Sequence, residues 1–472
     1  MVDTITIRKG LDIPVAGSAE QRTTNALGIH TYAMKPADFV GLVPRLCVVE
    51  GDTVHLGDVL FCDKNDERIR FTSPVGGHVK AIVRGEKRRL EAVVVEADQG
   101  LKTAVFDIPG NAEEIKALML RCGLWPMLRQ RPFGVVASPD DQPKAIFVSA
   151  FDSAPLAPDY DFVLQGKEEW FKKGLEALTL LTDGKVHVCF RPGQKLATHL
   201  SAFNFQLSTF NFKGPHPAGN IGTQIAHIDP INKGEVVWTM NPQDVAVLGE
   251  LVSTGVYRPE KVIAVAGPQI KNPHYYRITS GACMAGIVNE QVLNPEYPKM
   301  ASDETVKENR VISGNILSGT QITIDGFIGA YDSLLSILPE GNYYDFMGWL
   351  MPGFKKFSFS RTFLSGFLTP FTSKLSTLNS QLSTFIFDTN THGDQRPLVF
   401  TGDFERVFPF DIYPTQLIKA CIVGDIDLME QLGIYEVEPE DFALCEFIDV
   451  SKTDIQSIVR EGLEKIRKEA LR

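Results

Sequence analysis

Val48-Val-Glu-Gly-Asp-Thr-Val-His-Leu-Gly-Asp-Val-Leu-Phe61 is a chain of short β-type runs broken by Gly-Asp at 51–52 and again at 57–58. Glycine enters the left-handed backbone region without a Cβ clash, so each pair predicts a tight turn that folds a strand back on itself. Outward from this stretch, Ile69-Arg-Phe-Thr-Ser-Pro-Val-Gly-Gly-His-Val79 and Leu90 to Glu96 keep the same texture. Val43 to Asp98 is therefore expected to form a small, compact β domain.

The whole chain has 472 residues, too many for one ordinary core, and three or four domains are expected at about 100–200 residues each. Hydrophobic residues make up 44% and charged residues 22%, the balance of folded globular protein. The net charge of −11, without any long run of Lys or Arg, argues against a nucleic-acid partner. No stretch approaches the ~18 apolar residues that cross a bilayer. Met1-Val-Asp-Thr-Ile-Thr-Ile-Arg-Lys9 lacks the pattern of a signal peptide, so a cytoplasmic location is expected. Seven cysteines, Cys47, Cys62, Cys122, Cys189, Cys283, Cys421 and Cys445, are scattered without a CxxC. Iron–sulfur and structural zinc sites usually take two ligands from one tight turn, so these read as buried, reduced thiols.

The expected fold class is multidomain α/β, α+β overall. Residues 1–100, an N-terminal segment plus the β domain, resemble the barrel-sandwich hybrid of biotinyl and lipoyl carriers. Those carriers expose a lysine at a hairpin tip, but Glu67 occupies that position here and Lys64 falls three residues early. Residues 101–280 read as a Rossmann-like α/β domain without a nucleotide fingerprint. Helices are expected at Ala112 to Cys122 and near Lys167 to Leu181, with strands at Lys144 to Ser149, Lys185 to Phe190 and Lys261 to Ala266. The glycine cluster Gly214-Pro-His-Pro-Ala-Gly-Asn-Ile-Gly222 lacks the Lys-Ser/Thr of a phosphate loop and reads as a turn entering a strand, Thr223 to Ile228. Its His216 and His227 have no third ligand at metal spacing and read as ordinary hydrogen-bonded histidines. Residues 281–335 suggest a β-grasp-like module, similar to the SLBB type, and 336–472 a C-terminal domain. That domain ends in a helix with Ser451 as its cap and an apolar stripe of Ile455, Ile458, Val459, Leu463 and Ile466. A repeated Gln-Leu-Ser-Thr-Phe, at 206–210 and 381–385, reads as two inserted surface loops.

Glu50 to Phe61, Phe71-Thr-Ser-Pro-Val-Gly-Gly77, Arg84-Gly-Glu-Lys-Arg88, Gly214-Pro-His-Pro-Ala-Gly219, Ala266-Gly-Pro-Gln269 and Arg310-Val-Ile-Ser-Gly314 form a set. With Gly348-Trp-Leu-Met-Pro-Gly353 and Glu405-Arg-Val-Phe-Pro-Phe-Asp411, they resemble the A-subunit family of sodium-translocating NADH:quinone oxidoreductases (Na+-NQR), in the family's order. That resemblance implies a peripheral, cytoplasm-facing member of a membrane complex that passes electrons from NADH to ubiquinone or menaquinone and pumps sodium outward. It implies no cofactor in this chain, with FMN, FAD, riboflavin and iron–sulfur in partner subunits, and a connection with the quinone end. Asp449-Val450 stands where the family typically has Cys-Pro, and a lone Cys445 cannot hold a cluster.

The fold is also similar to the C-subunit of the Rnf complex and to the NADH-binding member of respiratory complex I. Those relatives meet a flavin phosphate with a glycine-rich loop. Leu124 and Trp125 occupy the corresponding stretch, Cys122 to Phe133, where a side chain blocks close backbone approach. Loss of the flavin site is expected. Trp125, Arg131 and Phe133 then either face quinone in the vacated cleft or plug it as core. A second expectation, from another class of function, is a structural docking subunit that does not contact quinone. Its surface would come from the aromatic stretch after Tyr343, with Trp349, Met351, Phe354, Lys355, Lys356 and Arg361 as candidate contacts. No catalytic, cofactor-binding or metal residue is assigned.

Overall fold

The computed structural model describes residues 3–26, 28–98, 104–200, 207–291, 308–343, 347–348, 350–354, 356–360, 363–365 and 384–470. In the N-terminal unit, Thr31–Met34, Leu90–Ala97, Gly77–Arg84 and Thr53–Val54 form one antiparallel sheet, and Pro44–Leu46, Val59–Asp63 and Arg70–Thr72 form a second. Both Gly-Asp pairs make the expected turns. Gly51 and Gly57 sit at φ 91° and 89°, and each aspartate accepts from the backbone N–H three residues before it, Val49 to Asp52 at 2.8 Å and His55 to Asp58 at 2.7 Å. Leu60, Phe61, Phe71, Val79, Val93 and Val95 fill the space between the sheets, with the Phe61 and Phe71 rings stacked at 4.8 Å.

A seven-stranded sheet forms the middle of the molecule. Asp3–Thr6, Leu207–Lys213, Lys185–Phe190, Ala145–Ser149 and Val237–Thr239 run parallel in that spatial order, and the antiparallel ribbon Arg129–Arg131 and Val135–Val136 completes it. Alternate residues of Ala145–Ser149 serve opposite faces, as strand geometry requires. Ile146 and Val148 join a core with Phe171, Leu175 and Leu178 of the helix Glu168–Thr179 and Val245 and Leu248 of the helix Pro242–Thr254. Ala145 and Phe147 pack instead with Ile225 of the helix Ile221–Ile228. Helices thus cover both faces, and the strands can be apolar throughout. Two of these helices cross at glycines: a methyl on Gly174 would overlap the Val245 carbonyl, and one on Gly249 the Trp170 carbonyl.

Several expectations are corrected here. Thr223 to Ile228 is helical: Ile221, Ile225 and Ile228 lie four and three residues apart, a helical repeat that a period-two reading obscures. The strand Glu260–Ala266 leaves the parallel sheet for a six-stranded one. That sheet runs Glu20–Asn25, His274–Thr279, Glu260–Ala266, Leu334–Pro339, Asn309–Ser313 and Thr320–Ile322. The first repeat segment is not a surface loop over its described part: Leu207–Lys213 pairs on both sides and Phe212 is buried. In the second, residues 374–383 lie outside the described residues, and Phe385 bridges to Val15. The N-terminal 25 residues therefore stitch both large sheets together.

The C-terminal helices surround Phe408, Phe410, Leu417, Met429 and Phe442. In the last helix, Ile455–Ala470, Ile455, Val459, Leu463 and Ile466 face this core. Its N-terminus is held by Asp454, which accepts from Ser457 N at 3.2 Å, rather than by Ser451. Asp449 accepts from Ser451 N at 3.0 Å and Thr453 N at 2.8 Å, which gives the Asp at this position a structural use. Cys47 departs from the expected burial and is exposed. Among the described residues no helix is long and apolar enough to cross a membrane.

Candidate functional site

The chain moves outward from Ala145–Ser149 to Lys185–Phe190 and Leu207–Lys213, then returns through Ile221–Ile228 to Val237–Thr239 on the other side of the first strand. Connections that diverge at the carboxyl ends of neighbouring strands leave a crevice, which is where open α/β sheets bind ligands. A cavity of about 200 Å³ lies there. Ser149, Thr239 and Met240 come from the strand ends, and Asn220, Ile221, Asn241 and Pro242 from the starts of two helices. Asn315, Leu317, Ser318 and Tyr331 enter from the second large sheet, and Glu440 and Ala443 from the C-terminal helices.

Each wall is fixed by its own hydrogen bonds. Asn241 caps its helix by accepting from Gln243 N at 2.9 Å, and its amide donates to Tyr160 OH at 3.1 Å. Gln243 behaves like an extra strand residue, accepting from Val262 N at 2.8 Å and donating to Val262 O at 3.0 Å. Ser149 Oγ accepts from Gln224 Nε2 at 2.7 Å. His216 is buried, lies 3.0 Å through Nδ1 from Ser153 Oγ, and donates its backbone N–H to Asp12 at 2.9 Å. Burial alone pushes its imidazole down to about 4, so the ring is neutral at pH 7. Burial pushes the Asp152 carboxyl and the Tyr160 phenol above their ordinary ranges. Tyr331 donates to Pro126 O at 2.7 Å beneath the Arg129 guanidinium, 5.1 Å from its ring. The cleft therefore presents polar groups of Ser149, His216 and Asn241 against Met127, Phe151, Met240, Leu317 and Tyr331, with the Arg129 guanidinium and the Asp152 and Glu440 carboxyls also in its lining.

That last wall is clamped by Arg131. Its guanidinium meets Glu438 at 3.3 Å, Glu440 at 2.6 Å and Asp441 at 3.1 Å, and Arg129 meets Glu438 at 3.1 Å. Burial works against the charge of Arg131, and the three carboxylates overcome it. Burial also opposes ionisation of Glu438, but Arg131 and Arg129 prevail and hold it below the carboxylate range. For Asp441 burial outweighs Arg131, and the neighbouring carboxylates add to the effect, so its carboxyl is pushed up to about 7.

None of Trp125, Arg131 and Phe133 lines this cleft; of the two alternatives expected for them, a quinone-facing wall or a core plug, their placement agrees with the plug. Trp125 is 0% exposed. It donates from Nε1 to Ala137 O at 2.8 Å and meets Trp238 edge-on at 5.5 Å. Arg131 is spent on its carboxylates. Phe133 packs against Tyr435 at 6.1 Å, and its carbonyl accepts from Arg460 at 2.7 Å. The loop that carries them is filled: Leu124 is buried, and a methyl on Gly123 would overlap Thr72. A flavin phosphate does not fit those residues.

Met351 and Phe354 are exposed, and Lys356 lies 5.6 Å from the Phe363 ring. Trp349, Lys355 and Arg361 lie outside the described residues. Lys64 is exposed beyond the strand Val59–Asp63, and Glu67 pairs with Arg45. His227 Nδ1 lies 2.8 Å from the Thr223 carbonyl, and among the described residues no cluster of His, Cys, Asp and Glu could hold a metal. Sequence reasoning missed the cleft itself. The available signals were the 214–219 glycine motif and the carboxyl ends of the two central strands.

Three stretches match families of known proteins. Residues 5–98 match the NqrA N-terminal barrel-sandwich hybrid domain, 110–257 the NqrA second alpha/beta domain, and 262–323 the NQRA C-terminal domain. The break between 257 and 262 coincides with the change of sheet at Glu260. The chain is 38% identical over 474 residues to the A-subunit of the Na(+)-translocating NADH-quinone reductase of Yersinia pseudotuberculosis, covering 98% of this chain and 100% of that one. The protein of the same name from Rhodopirellula baltica is 38% identical over 98% of both chains. That from Histophilus somni is 39% identical over 98% of this chain and 100% of its own. With the matched domains in order and the likeness running nearly end to end, this chain belongs to the NqrA family, the A-subunits of Na(+)-translocating NADH-quinone reductases.

Proposed function

We propose that this chain is a cofactor-free peripheral subunit of a complex that oxidises NADH, reduces ubiquinone or menaquinone and exports sodium, and that its central cleft borders the quinone-reduction end. The observation that carries the second part is the composition of the cleft. A quinone is a flat apolar ring with two carbonyl acceptors, and it needs apolar walls with a few placed donors. Met240, Leu317 and Tyr331 supply walls, and Asn241, His216 and Ser149 supply polar groups. About 200 Å³ suits a ring head-group without its isoprenoid tail. In this reading Trp125, Arg131 and Phe133 act behind the cleft: Arg131 positions Glu440, and the two aromatics hold the loop that leads to Met127 and Arg129.

The filled loop at Leu124 and Trp125 supports the cofactor-free part. We read the parallel sheet as a Rossmann-like unit without its phosphate loop, and the strands around 309–339 as a β-grasp-like module. Flavins and iron–sulfur belong, in this reading, to partner subunits. The chain would attach peripherally, at the cytoplasmic face that the family resemblance implies; among the described residues no helix is long and apolar enough to cross a membrane.

Ser318→Trp in the whole enzyme tests the cleft, because Ser318 is exposed at its mouth and the larger side chain can fill it without entering a core. A raised quinone KM with unchanged NADH oxidation by an artificial acceptor is expected. Unchanged quinone KM and inhibitor sensitivity would sink the quinone assignment.

A second reading, a docking subunit without quinone contact, rests on the exposed Met347, Leu350, Met351 and Phe354. Apolar and aromatic surface of this kind favours interface cores. Lys355, Lys356 and Arg361 fall in the same stretch. Cross-linking from residues 347–364 should reach the membrane subunits; cross-links confined to this chain would refute docking there.

A further inference from the structure

Cys47 and Cys62 are the two cysteines that the fold brings together, although fifteen residues separate them in the chain. Their Sγ atoms lie 4.0 Å apart. The strands Pro44–Leu46 and Val59–Asp63 are antiparallel, with Arg45 opposite Cys62 and Leu46 opposite Phe61. Cys47 continues the ladder by donating its N–H to Leu60 O at 2.9 Å. The two thiols are therefore diagonal neighbours on one face of the sheet. Both also approach the Arg45 carbonyl, Cys47 at 3.6 Å and Cys62 at 3.9 Å.

The two differ in access. Cys47 lies just past the end of its strand and is exposed, whereas Cys62 sits within its strand and is buried. Burial first, and the neighbouring Cys47 second, push the Cys62 thiol up to about 11, so Cys62 is not the group that meets an oxidant. An exposed thiol beside a protected one is the arrangement of an attacking and a resolving cysteine. Closing the gap to the ~2.05 Å of a disulfide needs a small backbone shift as well as side-chain rotation, because diagonal neighbours stand farther apart than linked residues, and Cys47 lies just past its strand's end, where such a shift is easiest.

We propose that Cys47 and Cys62 form a reversible oxidative modification site whose oxidant is a small hydroperoxide. The Cys47 thiolate attacks the peroxide oxygen, and the O–O bond breaks. For hydrogen peroxide this leaves a sulfenic acid on Cys47 and hydroxide, which takes up a proton to become water. The Cys62 sulfur then attacks the Cys47 sulfur and expels the sulfenic oxygen as a second water, carrying the Cys62 proton. Two thiols lose two electrons in all, and one peroxide gains them. The product ties Cys47, just past the strand Pro44–Leu46, to Cys62 in the strand Val59–Asp63, beside the loop that carries Lys64 and Glu67.

The test uses the full chain treated with hydrogen peroxide, quenched, alkylated and mapped by mass spectrometry. Expected is a loss of about 2 Da before alkylation, a linked pair of peptides containing Cys47 and Cys62, and recovery of both thiols with dithiothreitol. Cys62→Ser should instead drive Cys47 to the irreversible sulfinic acid, because the resolving thiol is gone. Wild-type protein that carries sulfinic acid on Cys47 while Cys62 remains alkylatable would overturn the proposal. So would equal sulfinic acid yields in wild type and Cys62→Ser.

Discussion

Arg131→Met removes one charge from the clamp between the central sheet and the C-terminal helices and keeps most of the side chain's length. Arg131 is 2% exposed, and two of its partners, Glu438 and Asp441, are buried as deeply. Removing one partner of a buried ion pair strands the other and costs about 3–5 kcal/mol. Glu438 keeps Arg129 at 3.1 Å and Glu440 is partly exposed, so the loss is expected at the lower end, about 3 kcal/mol. Without Arg131 the folded-state pKa of Glu438 loses its main depressing partner and rises, and that of Asp441, already raised, rises further relative to the unfolded chain. A raised pKa favours folding at low pH and loses that benefit as pH climbs through it. The substitution should therefore cost more at pH 8 than at pH 5.5. Urea unfolding followed by tryptophan fluorescence and far-UV circular dichroism at both pH values measures this. Adding Glu438→Gln and Asp441→Asn should restore most of the loss. A loss below about 1 kcal/mol, or an equal loss at both pH values, would refute the claim that uncompensated buried carboxylates set the cost.

Gly249→Ala should lower stability by about 1–3 kcal/mol, because the methyl meets the Trp170 backbone where two helices cross; a neutral result in thermal unfolding would show that the crossing is looser. His187 lies between Phe147 at 4.6 Å and Phe210 at 5.6 Å, and burial holds its pKa down at about 4. A lowered histidine pKa supplies stability that is present above pH 6.5 and lost as pH falls towards 4, here about 3 kcal/mol. His187→Phe should remove that part of the acid sensitivity, and an unchanged slope of urea midpoint against pH between 7 and 4 would refute it.

Residues whose information is local were readable in advance. Asn111 accepts from Glu114 N and Gly123 takes φ 83°, so the helix Ala112–Cys122 starts and stops where its sequence says. The Gly-Asp turns follow from glycine's backbone freedom in the same way. Leu207–Lys213 does not read as a strand in the sequence, because its polar alternation lacks the continuous apolar run of a doubly covered strand. It lies next to the sheet edge, where Asp3–Thr6 is the last strand, and is half-buried.

Alone, the amino-acid order determined the β domain with its two turns, the helices Ala112–Cys122 and Glu168–Thr179, the apolar stripe of the last helix and the filled loop at Leu124 and Trp125. These depend on contacts within a few residues or on a repeat along one element. Only the tertiary structure decided that Trp125 is core, that Arg131 is a clamp and that Cys47 meets Cys62. It also gathered Met127, Ser149, His216, Asn241, Tyr331 and Ala443 around one cleft. Those residues share no spacing that a period of two or 3.6 could reveal, because their meeting depends on the order of strands in a sheet and on three packed units.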